Sequence, residues 1–189
     1  MHHLIRDRRL PIALAALVFG GADQYLGSLT THGWGPWTEA VSGMSAPWLL
    51  LPFLAGMYEP RMLGARGAAG LGLLATYAAL LGYFVMINSP LEGVSIAQFH
   101  LALFLRSQAD LLVGGLITGP LFGYLGHRWR VDRTWWCALA VALAACGEPP
   151  ARLAVNRLDP STVVWAVEIA VGLALACYVV AVTRRSGTA

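Results

Sequence analysis

Six runs of about twenty mostly apolar residues follow one another with only short polar breaks, and that pattern leaves few folds open. A run of this length matches the roughly 20 residues that a helix needs to cross about 30 Å of hydrocarbon. The runs are Leu10–Leu29, Trp37–Tyr58, Gly67–Ile87, Gln108–Gly126, Thr134–Asn156 and Val163–Thr183. Only 12% of the residues are charged, against about 25% in an ordinary soluble domain. The sequence therefore predicts an all-α integral membrane bundle, a single domain over residues 1–189 with six transmembrane helices.

The arginines set an expected orientation. The chain has no lysine, and its net charge of +3 comes from arginines gathered in short loops rather than from a nucleic-acid-binding face. With the N-terminus inside, Arg6, Arg8, Arg9, Arg61, Arg66, Arg128, Arg130, Arg133, Arg184 and Arg185 fall on the cytoplasmic side, and only Arg106, Arg152 and Arg157 fall outside. That bias follows the positive-inside rule and places both termini in the cytoplasm. The expected location is a bacterial inner membrane, with the lipid bilayer as partner and no nucleic acid.

The first run invites a second reading. Arg8-Arg9, an apolar stretch and then Gly20-Gly21-Ala22 also resemble a cleavable signal peptide. Apolar character resumes beyond Asp23-Gln24, which favours retention as a helix. The segment 95–105, apolar with Gln98 and His100 interspersed, reads as an interfacial or re-entrant helix.

Four acids interrupt these apolar runs: Asp23, Asp110, Glu148 and Glu168. A carboxylate in hydrocarbon is rare unless it faces protein or a water-filled cavity, so each marks a candidate site. On the arginine-derived topology all four belong to the outer half of the membrane, with Glu39 near them. Arg106 precedes Asp110 by four residues and Arg152 follows Glu148 by four, a spacing that shares a helix face. The expected site is an outward-facing acidic pocket for a substrate or ion, formed by Asp23, Trp48, Tyr77, Tyr83, Arg106, Asp110, Glu148, Arg152, Trp165 and Glu168. For each acid the plainer alternative is a boundary residue or a structural ion pair.

Prolines and glycines suggest where helices bend and pack. Residues before proline avoid the α conformation, so Pro149-Pro150 predicts a break or kink just after Glu148. Pro47 and Pro52 interrupt the second run, and Pro120 predicts a bend in the fourth. Gly115, Gly119 and Gly123 form a stripe of small residues suited to close helix contact, either within the bundle or at a subunit interface. Trp34, Trp37, Trp129, Trp135 and Trp136 fall at run ends, as interfacial anchors do. Cys137, Cys146 and Cys177 lack metal-ligand spacing and read as small core residues.

No Walker A loop, H-E-x-x-H, G-x-S-x-G or C-x-x-C motif is present. No metal or cofactor is expected, and no residue receives a catalytic role, although Glu148, Glu168, Asp110 and Asp23 are the candidates. Three blocks, Trp48–Gly56 (WLLLPFLAG), Gly82–Phe84 (GYF) and Gly119–Gly126 (GPLFGYLG), resemble a family of small bacterial multi-pass membrane proteins classed as a domain of unknown function. The resemblance implies a small helical bundle and no particular activity. Three functions fit the residues. The first is a small transporter or permeation protein, working as a homo-oligomer. The second is a membrane-embedded enzyme using acid chemistry on a lipid-like or isoprenoid substrate. The third is a non-catalytic membrane subunit docked on a partner.

Overall fold

The computed structural model describes residues 2–58, 64–89, 106–154 and 162–186, with side chains between residues 9 and 183 of those ranges. Among the described residues seven α-helices follow in order: α1 (His2–Ser28), α2 (Trp37–Ser42), α3 (Ser45–Met57), α4 (Gly64–Ile87), α5 (Ala109–Asp132), α6 (Trp135–Ala154) and α7 (Thr162–Ser186). A 3-10 turn at Leu29–His32 links α1 to the Gly33–Pro36 loop. Together they supply six segments long and apolar enough to cross a membrane, with α2 and α3 sharing the second. The segments 95–105 and 59–63 lie outside the described residues, as do Asn156 and Arg157.

Glycine decides how the helices meet. α4 lies at the centre, against α1, α3 and α5. A Cβ on Gly20 would overlap the backbone of Ala79, and one on Gly82 would overlap that of Leu17, so α1 and α4 touch main chain to main chain. Gly115, Gly119 and Gly123 all face α4. Their missing Cβ atoms would stand 3.0 Å from the Thr76 methyl, 3.1 Å from Leu73 Cα and 2.9 Å from Gly72 Cα respectively. Gly123 also meets Gly56 of α3, and Gly126 meets Phe53. Such approaches supply the van der Waals contact that holds helices together where lipid offers no hydrophobic drive.

Two apolar clusters fill the space between. Phe53, Phe122, Leu125, Trp129, Cys137, Val141 and Val179 join α3, α5, α6 and α7. Ala16, Ala55, Leu71, Ala75 and Ala79 join α1, α3 and α4. Among the described residues α7 packs chiefly on α6, with a few further contacts such as those to α2 and those of Val179 to the first cluster. It therefore leaves Val163, Val167, Val171, Leu173 and Tyr178 exposed.

Several local expectations are corrected. The second span breaks at Gly43-Met44, where Met44 turns extended (φ −67°, ψ 129°), and not at either proline. Pro47 sits in the first turn of α3, where a missing N–H costs nothing, and Pro52 is fully buried inside the helix. α6 runs unbroken through Pro149 and Pro150 to Ala154. Proline's fixed φ is itself helical, and side chains on both sides of the pair are anchored to another span, as described below. α5 is also continuous through Pro120, which leaves the expected bend there uncontradicted. Trp129 belongs to the core, only 6% exposed, whereas Trp34, Trp37, Trp135 and Trp136 are exposed near helix ends. Cys137 is buried and Cys146 partly so, but Cys177 lies on the exposed face of α7 because only one side of that helix is packed.

Candidate functional site

The gap between α2 and α3 leaves backbone groups that a continuous helix would have satisfied. The last carbonyls of α2 and the first N–H groups of α3 lack intrahelical partners. Two residues of α6 supply them. Glu148 accepts a hydrogen bond from the Ser45 backbone N–H (2.6 Å) and another from the Ser45 hydroxyl (3.0 Å). Arg152 donates from Nη2 to the carbonyl oxygen of Gly43. The two side chains also bind one another, with Arg152 Nε 2.8 Å and Nη2 2.6 Å from Glu148 Oε1. The anion thus lies at the start of α3 and the cation at the end of α2, the arrangement that both helix dipoles favour.

α7 closes this clamp from behind. The Trp165 ring lies under the Arg152 guanidinium, 5.0 Å from ring centroid to Cζ. One turn further along, Glu168 is 95% buried, near enough to Glu148 and Arg152 to interact electrostatically. Among the described residues, neither carboxyl oxygen of Glu168 nor the Trp165 indole N–H meets hydrogen-bond geometry with a partner.

In front of the clamp is a cavity of about 460 Å³. Arg152 forms one wall with residues 42–45 of the gap. Asp23 from α1 forms another, and Trp48 Nε1 donates to its carboxylate at 3.1 Å. Trp48 stands in an edge-to-face chain of rings, with Phe19 at 5.5 Å on one side and Tyr83 at 6.0 Å on the other. Asp110 lies at the exposed rim. Thr76, Leu80, Leu111, Gly114, Gly115 and Thr118 complete the lining from α4 and α5. The Thr76 and Thr118 hydroxyls are both occupied by carbonyls of their own helices, Gly72 and Gly114.

Of the ten residues singled out by sequence, Asp23, Trp48, Tyr83, Asp110 and Arg152 line this one cavity. Glu148 stands behind its wall, holding Ser45 and Arg152. Trp165 and Glu168 are a layer further back. Tyr77 points elsewhere, its hydroxyl donating to the Leu112 carbonyl at 2.8 Å and tying α4 to α5. Arg106 is exposed, and no ion pair joins it to Asp110 among the described residues. Glu39 is exposed too. Sequence reasoning passed over Ser45, Met44, Thr76, Gly114 and Thr118 as site residues. The small and hydroxyl residues at four-residue spacing in α5 were a usable signal for a hollow, whereas nothing local marked Ser45. Among the described residues, no group of three or more His, Cys, Asp or Glu side chains is placed to hold a metal ion.

A family of unknown function, DUF6518, matches residues 5–189 of the chain. The chain belongs to that family. The match spans the cavity, the clamp and all six apolar segments, so in this chain the DUF6518 region is the whole six-helix unit. No curated protein and no solved structure matches the chain significantly.

Proposed function

We propose that this DUF6518 protein is a small transport or permeation protein whose cavity binds a small organic cation near one face of the membrane. The observation that carries the reading is the charge balance of the cavity. Among the described residues, Asp23 and Asp110 both line it, and the one arginine on its wall is already paired with Glu148. The surplus is negative, so the field favours a cation. Trp48 and Tyr83 present aromatic rings to the same space, which suits a cation that carries apolar groups. A volume of about 460 Å³ falls within the roughly 300–1,000 Å³ of small-molecule sites.

Several features of the chain support the placement. The bias of ten arginines against three favours an orientation with both termini inside and the cavity at the outer end of the bundle. Asp23 and Glu168 then lie at membrane depth, where acids are kept for function or for pairing. A break in a spanning helix beside a site is a feature of transporters, and the Gly43-Met44 gap is one, formed inside the second apolar segment. Bacterial inner membrane is the expected location. An acid-catalysing enzyme is favoured less, because Glu168, the buried carboxyl without a partner, does not line the cavity.

The test is uptake of radiolabelled tetraethylammonium into proteoliposomes. Wild-type protein should support saturable uptake, and Asp23→Asn combined with Asp110→Asn should remove it. Equal uptake by protein-free liposomes would sink the transport reading.

A further inference from the structure

At the other end of the bundle a second hollow, of about 570 Å³, lies between α1 and α4. Its two charged walls are Arg9 and Arg66, and its floor includes Leu10, Leu71 and Leu74. The helices run in the same direction, since residues 9–13 of α1 adjoin 66–74 of α4 and Gly20 adjoins Ala79 further along. Arg9 opens the first membrane-spanning segment, and Arg66 is in the first turn of the third. Both guanidinium groups therefore stand at the same membrane surface. Both are exposed, and neither has a hydrogen-bond or ion partner among the described residues. The groove is held open at Gly70, where an added Cβ would meet no atom within 4 Å.

We propose that this groove is a binding site for one anionic phospholipid. The two arginines take the phosphate, and the leucine floor takes the start of an acyl chain. Two guanidinium groups at headgroup level, without a partner among the described residues, offer bidentate donors that match a phosphate. Basic pockets between membrane helices are known to select anionic headgroups. The apolar floor below them distinguishes a lipid from a free anion, because inorganic phosphate makes no use of it. The inference stands apart from the cation cavity and does not depend on which side of the membrane the arginines occupy.

Native mass spectrometry of the full chain in detergent, with dioleoyl-phosphatidylglycerol or dioleoyl-phosphatidylcholine added, tests it. Phosphatidylglycerol should be retained in preference to phosphatidylcholine by at least about tenfold. Arg9→Gln combined with Arg66→Gln should remove that preference. Gly70→Phe, which grows into open space, should weaken retention with both arginines intact. It serves as the decisive variant if the arginine pair is needed for folding. Equal retention of the two lipids by wild type, or unchanged retention in Gly70→Phe, would overturn the proposal. Displacement of phosphatidylglycerol by millimolar inorganic phosphate would do so as well, because the site would then be an anion pocket that ignores the acyl chain.

Discussion

Glu148 and Arg152 sit one turn apart on α6, and their ion pair closes both sides of the gap between α2 and α3. Glu148 takes the first N–H of α3, and Arg152 takes the carbonyl of Gly43, the residue that follows α2. The broken span thus keeps its shape only through a helix that follows it by about a hundred residues. The Glu148 side chain is 8% exposed, so its removal leaves a cation and a helix N-terminus without their partner. Glu148→Ala should destabilise the bundle by about 3 kcal/mol or more. Arg152→Ala should cost a comparable amount, and the double variant should cost clearly less than the sum because the two sites share one interaction. Thermal unfolding in detergent, read as a double-mutant cycle, measures this.

Glu168 should behave in the opposite way. It is buried with neither oxygen hydrogen-bonded, which is a standing cost to the fold. Glu168→Leu should therefore leave stability unchanged or raise it by about 1–3 kcal/mol. Because Glu168 does not line the cavity, cation binding should survive in that variant. A large loss of stability would show that the interaction of the carboxyl with its neighbours Glu148 and Arg152 outweighs the cost of its burial.

The glycines should separate into two classes. At Gly56, a Cβ would overlap the backbone of Gly123, so Gly56→Ala should destabilise by about 1–3 kcal/mol as the helices are forced apart. At Gly147, nothing lies within 4 Å, and Gly147→Ala should be neutral or stabilising by up to about 1 kcal/mol through helix propensity. Melting temperatures of the two single variants in the same detergent suffice as a check.

Trp48 has both a ring contact and a hydrogen bond to lose. Trp48→Phe keeps an aromatic ring between Phe19 and Tyr83 but removes the N–H donated to Asp23. It should cost about 1–2 kcal/mol. Trp48→Ala should cost about 3–5 kcal/mol by emptying the space as well. Equal effects of the two variants would mean that the ring packing contributes nothing beyond the hydrogen bond, whereas no effect of Trp48→Phe would mean that the hydrogen bond contributes nothing.

The sequence carried the six spans because length and apolar composition are nearly sufficient for a membrane helix. It also carried the Glu148–Arg152 pairing, since four-residue spacing on a helix is a local property. What it hid was anything decided across the bundle. Pro149-Pro150 reads as a break only while α6 is considered alone; anchoring of Glu148 and Arg152 on the second span holds the helix through it. Conversely, Gly43-Met44 reads as unremarkable beside Pro47 and Pro52, yet the chain breaks there, where Glu148 and Arg152 can satisfy the freed backbone. The cavity floor escaped notice for the same reason. Thr76, Gly114 and Thr118 bear no charge, and their importance comes from what α4 and α5 leave unfilled between them.

The most direct test of the cation cavity fills it while leaving its charges in place. Gly114 lines the cavity, and an added Cβ there would meet no atom within 4 Å, so Gly114→Phe should fold normally and occupy the space beside Asp23 and Asp110. Calorimetric titration of purified protein with tetraethylammonium should show saturable binding for wild type and a loss of at least about tenfold in affinity for Gly114→Phe, with an unchanged melting temperature. Wild-type affinity in the folded Gly114→Phe variant would contradict the account, because the cation would then bind somewhere other than this cavity.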